Sequence, residues 1–179
     1  MIGLLILFIN LDVVCNKISA VRHLNFESKI KVIITDRGNI KFLSDEFQTK
    51  PNKILINNNE VPSTTTSYYF TSTYNQIELI WNGPITNCSS MFNYSVSILR
   101  VDLSSFDSSQ CATTSYMFHQ SKKLENINFQ NFVTSSVEDM SGMFWGCFEL
   151  TSIDVSHFNT DKVTNMEGMF NYCEKINSL

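Results

Sequence analysis

Met-Phe pairs recur at Met91-Phe92, Met117-Phe118, Met143-Phe144 and Met169-Phe170, each pair 26 residues after the one before. Other apolar columns keep the same step: Ile98, Leu124, Leu150 and Ile176; Val101, Ile127, Ile153 and Leu179; Leu103, Phe129 and Val155; Phe106, Phe132 and Phe158. Ile85, Cys111, Val137 and Val163 form a further column, and Cys88, Thr114, Met140 and Met166 another. A fixed step with so many apolar columns points to units that wind as successive coils and bury one another's faces. Each buried Phe, Met or Leu contributes roughly 1.5–3 kcal/mol. Neighbouring coils can thus offset the entropy of ordering a unit that could not fold alone.

Within one unit the spacing of apolar residues changes. In Ile153-Asp154-Val155-Ser156 apolar and polar residues alternate, which predicts a short strand with Ile153 and Val155 inward. In the stretch from Val163 through Met166 to Met169-Phe170 the apolar residues recur at three and four, which predicts a short helical segment with one buried stripe. Ser135-Ser136-Val137-Glu138 has the spacing of a capping box, the expected start of such a helix. One strand, a Phe-centred turn and one short helix per coil is the leucine-rich-repeat plan, so the expected fold is an α/β right-handed solenoid.

The unit from Leu124 to Cys147 and its successor from Leu150 to Cys173, with the core V-x-x-M-x-x-M-F-x-x-C, resemble the BspA-like leucine-rich repeat family of surface proteins. The resemblance covers residues 85 to 179, and residues 77–88 look like the approach to the first coil. It implies a secreted or surface-exposed solenoid with an adhesion or protein-binding role and no enzymatic activity. Thr114 and Cys88 stand where that family has Met, and Ser95 and Ser121 where it has Cys. The array holds about three and a half coils.

The aperiodic first part divides in two. Residues 3–9 form an uninterrupted apolar run, broken by Asn10 and Asp12 and followed by Ser19-Ala20. That is the pattern of a secretory signal peptide over residues 1–20, too short for a membrane span; a retained anchor or a buried first strand are the alternatives. Residues 21–76 carry β-rich runs at 30–35, 40–43 and 54–56, separated by turn residues such as Asn57-Asn58-Asn59. They predict a small antiparallel cap over the first face of the repeat region, residues 77–179. Tyr68, Tyr69, Phe70 and Tyr74 are expected in a degenerate coil. The last coil has no comparable cap, so either self-association through the C-terminal coil or missing sequence is expected to cover its apolar face.

Charge and chemistry narrow the function. With 13 Lys and Arg against 17 Asp and Glu, and no basic run, neither nucleic acid nor an anionic membrane is an expected partner. No membrane span is expected once the signal is removed. His23, His119 and His157 have no nucleophile and orienting acid at matching repeat positions, and no glycine-rich phosphate loop exists, so no enzyme and no cofactor are expected. No C-x-x-C or His cluster suggests a metal. Cys88, Cys111, Cys147 and Cys173 sit in apolar columns and are read as buried thiols, with a Cys147–Cys173 bridge between adjacent coils as the alternative.

What remains is a surface. Asp102, Asn128 and Asp154 fall between the inward strand residues of successive coils and should stack as one polar ladder. Trp145 shares its column with Asn93, His119 and Asn171, either as an interface anchor or packed on the next coil's turn. Asn87-Cys-Ser89 and Asn93-Tyr-Ser95 are N-glycosylation acceptor patterns, Asn93 in an outward column. The expected function is a secreted or cell-surface binding or adhesion module that recognises a protein or glycan through the polar strand face. A self-associating surface component, or a truncated non-functional fragment of a larger repeat protein, is the alternative.

Overall fold

Alternation of apolar and polar residues sets the first strand, β1 (Ser28–Ile34): Ile30, Val32 and Ile34 are buried, Lys31 is exposed, and Lys29 and Ile33 lie between. The computed structural model describes residues 27–178, so the expected signal peptide of residues 1–20 and the terminal Leu179 lie outside the described residues. Seven further strands follow: β2 (Gly38–Lys41), β3 (Lys53–Ile56), β4 (Asn59–Val61), β5 (Ser67–Phe70), β6 (Asn75–Trp81), β7 (Ile98–Ser105) and β8 (Asn126–Asn128). They form a six-stranded sheet in the order β4-β3-β6-β1-β7-β8 and a two-stranded sheet of β2 with β5. Tyr68, Tyr69 and Phe70 therefore belong to β5 and its pairing with β2, not to a degenerate coil.

Local chemistry fixes the antiparallel part. Asn57 and Asn58 both have left-handed φ, 49° and 66°, and join β3 to β4 through a two-residue turn. Two positive φ angles in succession match the strands' twist, and Asn tolerates them better than most residues. The Asn57 side chain then fastens the hairpin to β6: its Nδ2 donates to Asn75 Oδ1 at 3.0 Å and its Oδ1 accepts the Gln76 N–H at 2.9 Å. β6 runs across the expected boundary at residue 76, and β1 pairs with both β6 and the first repeat strand β7. The N-terminal strands and the coils thus share one sheet.

Beyond β7 the chain repeats. β7 and β8 pair in parallel, with Val101 opposite Ile127, and single parallel bridges join Asn87, Thr113, Asp139 and Asn165 in order. Phe92, Phe118, Phe144 and Phe170 stack with ring centroids 5.4, 5.7 and 5.3 Å apart and planes within 15°. Strand character fades along the array: β7 has eight residues, β8 three, and the stretch expected as a strand around Ile153 keeps only the Ser152–Ser178 bridge. In the last coil Met166 is 44% exposed, and Phe158, Val163, Phe170 and Ile176 are only partly buried.

The expected helix in each coil is not there. Among the described residues the elements are strands, bridges and turns, so the α/β solenoid with one helix per repeat is corrected to an all-β chain of turn-built coils. Hydrogen bonding gives the reason. In an α-helix every N–H goes to the carbonyl four residues back in its own segment. Here the N–H groups of Cys88, Ser90, Phe92 and Tyr94 donate sideways, to Thr113, Ser115, Met117 and His119 of the next coil at 2.8–3.0 Å. Asn93 and Ser95 close tight turns onto Ser90 and Phe92. The backbone can alternate because two positions in every coil are left-handed: Ser90, Tyr116, Gly142 and Gly168, with φ of 55–63°, and Tyr94, Gln120, Gly146 and Tyr172, with φ of 57–73°. The apparent capping box serves the stack as well: Ser136 Oγ donates to Ser109 O at 2.9 Å and Glu138 N–H to Ala112 O at 2.8 Å, both in the preceding coil.

Candidate functional site

The ladder expected from Asp102, Asn128 and Asp154 is built only in part as expected. Asp102 faces Asn128 across β7 and β8, and Asn128 Nδ2 donates to Asp102 Oδ1 at 3.0 Å. Asp154 continues the column beyond the last strand. Each of the three also turns its side-chain oxygen onto the backbone two residues on: Ser104 to Asp102 at 3.0 Å, Gln130 to Asn128 at 3.1 Å, Ser156 to Asp154 at 3.0 Å. Such turns hold the side chains still, because a short acidic or amide side chain mimics a backbone acceptor. At Asp154 the Ser156 hydroxyl, donating at 2.6 Å, together with the Ser156 N–H holds the carboxyl below its ordinary value.

The row does not stop at the coils. β-sheet register carries it from Asn128 and Asp102 to Lys31 of β1, Glu78 of β6, Leu55 of β3 and Glu60 of β4. Lys29 bridges to Glu78 at 3.1 Å and Lys53 to Glu60 at 3.0 Å. One face therefore carries cationic and anionic side chains together. Two shallow hollows lie along it, one of about 450 Å³ between Lys29, Lys31, Ser104, Ser105 and Asn131, one of about 490 Å³ between Asn128, Phe129, Gln130, Asp154, Ser156 and His157. His157, exposed, is fixed by a 2.9 Å hydrogen bond between Nε2 and the Phe129 carbonyl. The lysines of this row lie in an aperiodic region, so no repeat column could have announced them.

Trp145 and the glycosylation candidates lie on the turn side of the coils. Trp145 is half-buried, 6.2 Å from the His119 ring and 5.7 Å from Tyr172, and rests where a Cβ on Gly168 would stand. Asn87 is exposed, but its Oδ1 accepts both the N–H and the hydroxyl of Ser89. Its column repeats the device, with Thr113, Asp139 and Asn165 accepting from Ser115, Ser141 and Glu167. Asn93 is only 6% exposed, so the outward position expected for it is corrected. Its Nδ2 donates to Glu46 Oε2 at 2.8 Å, and its Oδ1 lies 2.8 Å from His119 Nδ1. Because the amide oxygen faces the ring, Nδ1 carries the proton in neutral His119. Burial lowers the His119 pKa from its ordinary 6.5, partly opposed by the Glu46 charge.

The cysteines divide differently from either expectation. Cys88 and Cys111 form a disulfide with Cα atoms 6.2 Å apart, while Cys147 and Cys173 are buried thiols. Column comparison pairs residues one full period apart. Cys88 and Cys111 are 23 apart, diagonal neighbours on adjacent coils, and so escape it. Cys147 Sγ donates to Phe118 O at 3.2 Å and Cys173 Sγ to Phe144 O at 3.0 Å, the place that Ser121 Oγ takes with Phe92 O at 3.0 Å. Among the described residues no three His, Cys, Asp or Glu come together as metal ligands, and no helix is long and apolar enough to cross a membrane.

A second polar column went unnoticed in the sequence. Ser108 Oγ accepts the Val133 N–H at 2.7 Å and donates to the Val133 carbonyl at 2.9 Å, and Thr134 does the same with Asn159 at 2.8 and 3.0 Å. A buried hydroxyl with both roles filled ties one coil to the next. Its only signal is a Ser or Thr at a fixed repeat position.

Residues 59–179 match the family described as Mycoplasma protein of unknown function, DUF285. No curated protein and no solved structure matches the chain. The Met-Phe columns that carried the resemblance to BspA-like leucine-rich repeats do stack, but in coils without helices, and the family found is another; that assignment is corrected. Since the match spans well over half of the chain, the protein belongs to the DUF285 family of Mycoplasma proteins of unknown function.

Proposed function

We propose that the chain is an exported binding module that takes a protein partner, an extended segment laid across its strand-side face. The observation that carries this reading is the register-aligned row Glu78, Lys31, Asp102 and Asn128, continued by Asp154, in which the Lys31 cation stands between two carboxylates where two differently built halves of the molecule meet. A mixed-charge row suits a polypeptide, which brings charges of both signs, and gives orientation and specificity more than raw affinity. Turns onto the backbone already fix Asp102, Asn128 and Asp154, so a partner orders few additional rotamers. For export, the Cys88–Cys111 disulfide joins the signal-like residues 1–20, because such bonds persist in oxidising surroundings.

Selection from a displayed library of unstructured peptides tests the reading. Against the immobilised chain, peptides with alternating acidic and basic residues should be enriched. Enrichment should fall about tenfold on a Lys31→Glu, Asp154→Lys variant, in line with the loss of favourable charge pairs. Failure to enrich any peptide class, or equal enrichment on the variant, overturns it.

A further inference from the structure

The turn side of the coils carries a different surface. Positions 90, 93 and 94 and their counterparts in the three following coils hold Tyr, Trp, His, Asn, Gln, Ser and Gly, and not one Lys, Arg, Asp or Glu. Across these positions the rings touch in series. Tyr94 and Tyr116 both stand perpendicular to His119, at 5.2 and 5.4 Å; His119 meets Trp145 at 6.2 Å; Trp145 meets Tyr172 at 5.7 Å. The tyrosines are the exposed members, at 55%, 43% and 62%. Contiguous exposed aromatic surface marks a place for a partner.

The ribbon is held in place. A Cβ on Gly142 would come within 2.5 Å of the Tyr116 ring and one on Gly168 within 2.7 Å of the Trp145 ring, so the missing side chains make room for both. His119 is pinned through Asn93 to Glu46, the carboxylate that borders the ribbon. Rings already fixed lose little freedom when a ligand arrives.

We propose that this ribbon binds a neutral polysaccharide. A sugar ring offers a flat face of C–H groups that lies on the positive-seeking face of an aromatic ring. Its hydroxyls need donors and acceptors at the margin, which the Gln120 and Asn171 amides supply. Nucleic acid would need cationic groups here, and there are none among these positions. A folded protein would need about 800 Å² on each side. A narrow uncharged strip along four coils fits a chain ligand instead. This inference does not depend on the strand-side reading.

Affinity electrophoresis of the whole chain tests it, in gels containing a mixed-linkage glucan or a mannan, with a sulfated polysaccharide and a proline-rich peptide as comparators. Soluble chitin oligosaccharides are titrated separately, following the fluorescence of Trp145. The other tryptophan, Trp81, is buried and hydrogen-bonded to Thr49 O, so the ligand signal should vanish in Trp145→Phe. The expected result is binding to at least one neutral saccharide, weakened about tenfold or more by Tyr94→Ala with Tyr172→Ala, as for hot-spot aromatics. These tyrosines are exposed, so the variant keeps the core. Lys31→Glu with Asp154→Lys should leave the binding unchanged. Binding to none of the neutral saccharides, to the sulfated polymer alone, to the proline-rich peptide alone, or equally in the tyrosine variant overturns it.

Discussion

The Cys147 thiol donates to the Phe118 carbonyl from the place that Ser121 holds one coil earlier, so hydroxyl and thiol are interchangeable parts of one inter-coil ladder. Burial and the neighbouring Cys173 push the Cys147 pKa far above the ordinary thiol value. A thiol that cannot ionise is a poor nucleophile. Alkylation of the native chain should therefore leave Cys147 unmodified. After unfolding without reductant, Cys147 and Cys173 should both be labelled, and Cys88 and Cys111 only after reduction. Peptide mass mapping reads all four.

The Cys88–Cys111 bond closes a 23-residue separation, one coil to the next. Constraining a loop of that order stabilises by about 3 kcal/mol through the unfolded chain. Replacing both cysteines by Ser should lower the unfolding free energy by about that amount. A change under about 0.5 kcal/mol in denaturant titration would show that the bond is not formed in solution.

Gly142 has a left-handed φ of 56° and lies under the Tyr116 ring. Gly142→Ala should cost about 2 kcal/mol, from a conformation that L residues rarely adopt and from displacing the ring. A Tyr116→Ala background should recover the steric share and leave the backbone share. Equal costs in both backgrounds would mean that the ring yields freely.

His119 gives the stack a pH dependence with a definite sign. Its folded pKa lies below the ordinary 6.5, so the unfolded chain takes up the proton first. Stability from this group is fully present above 6.5 and is lost as pH falls from there through the folded value. His119→Asn, the residue that Asn93 and Asn171 already place in this column, should remove that slope while keeping the coil. Asp36 is held below its ordinary value, first of all by its hydrogen bond to Lys123.

How far the sequence reaches is clearest at Met143-Phe144. The period and the burial of Phe144 were legible, because stacking requires the same apolar residue at every step, and Phe118 and Phe144 do lie 5.7 Å apart. The helix inferred around the same residues was not there. Apolar spacing of three and four measures which residues point inward, and a train of tight turns with left-handed corners produces the same spacing. Gly142, Gly146 and Gly168 were the warning, since helices rarely hold glycine at regular intervals.

Asp102 and Lys31 mark the other limit. The repeat announced Asp102, Asn128 and Asp154 as a column, although not that each would fold back onto its own backbone. Lys31 belongs to a segment with no period, and only the antiparallel register of β1 against β7 sets it beside Asp102. Long-range pairing of that kind leaves no trace in local pattern.

Lys31 also supplies the most direct test of the strand-side reading. The affinity of a peptide selected on the native chain is measured by calorimetry against the native chain and Lys31→Glu, and again with the peptide's matching acidic residue changed to Lys. A direct charge pair predicts a loss of about tenfold in either single change and recovery of most of it when both are combined. Additive losses, or affinity indifferent to Lys31, would contradict a binding face built across β1 and the coils.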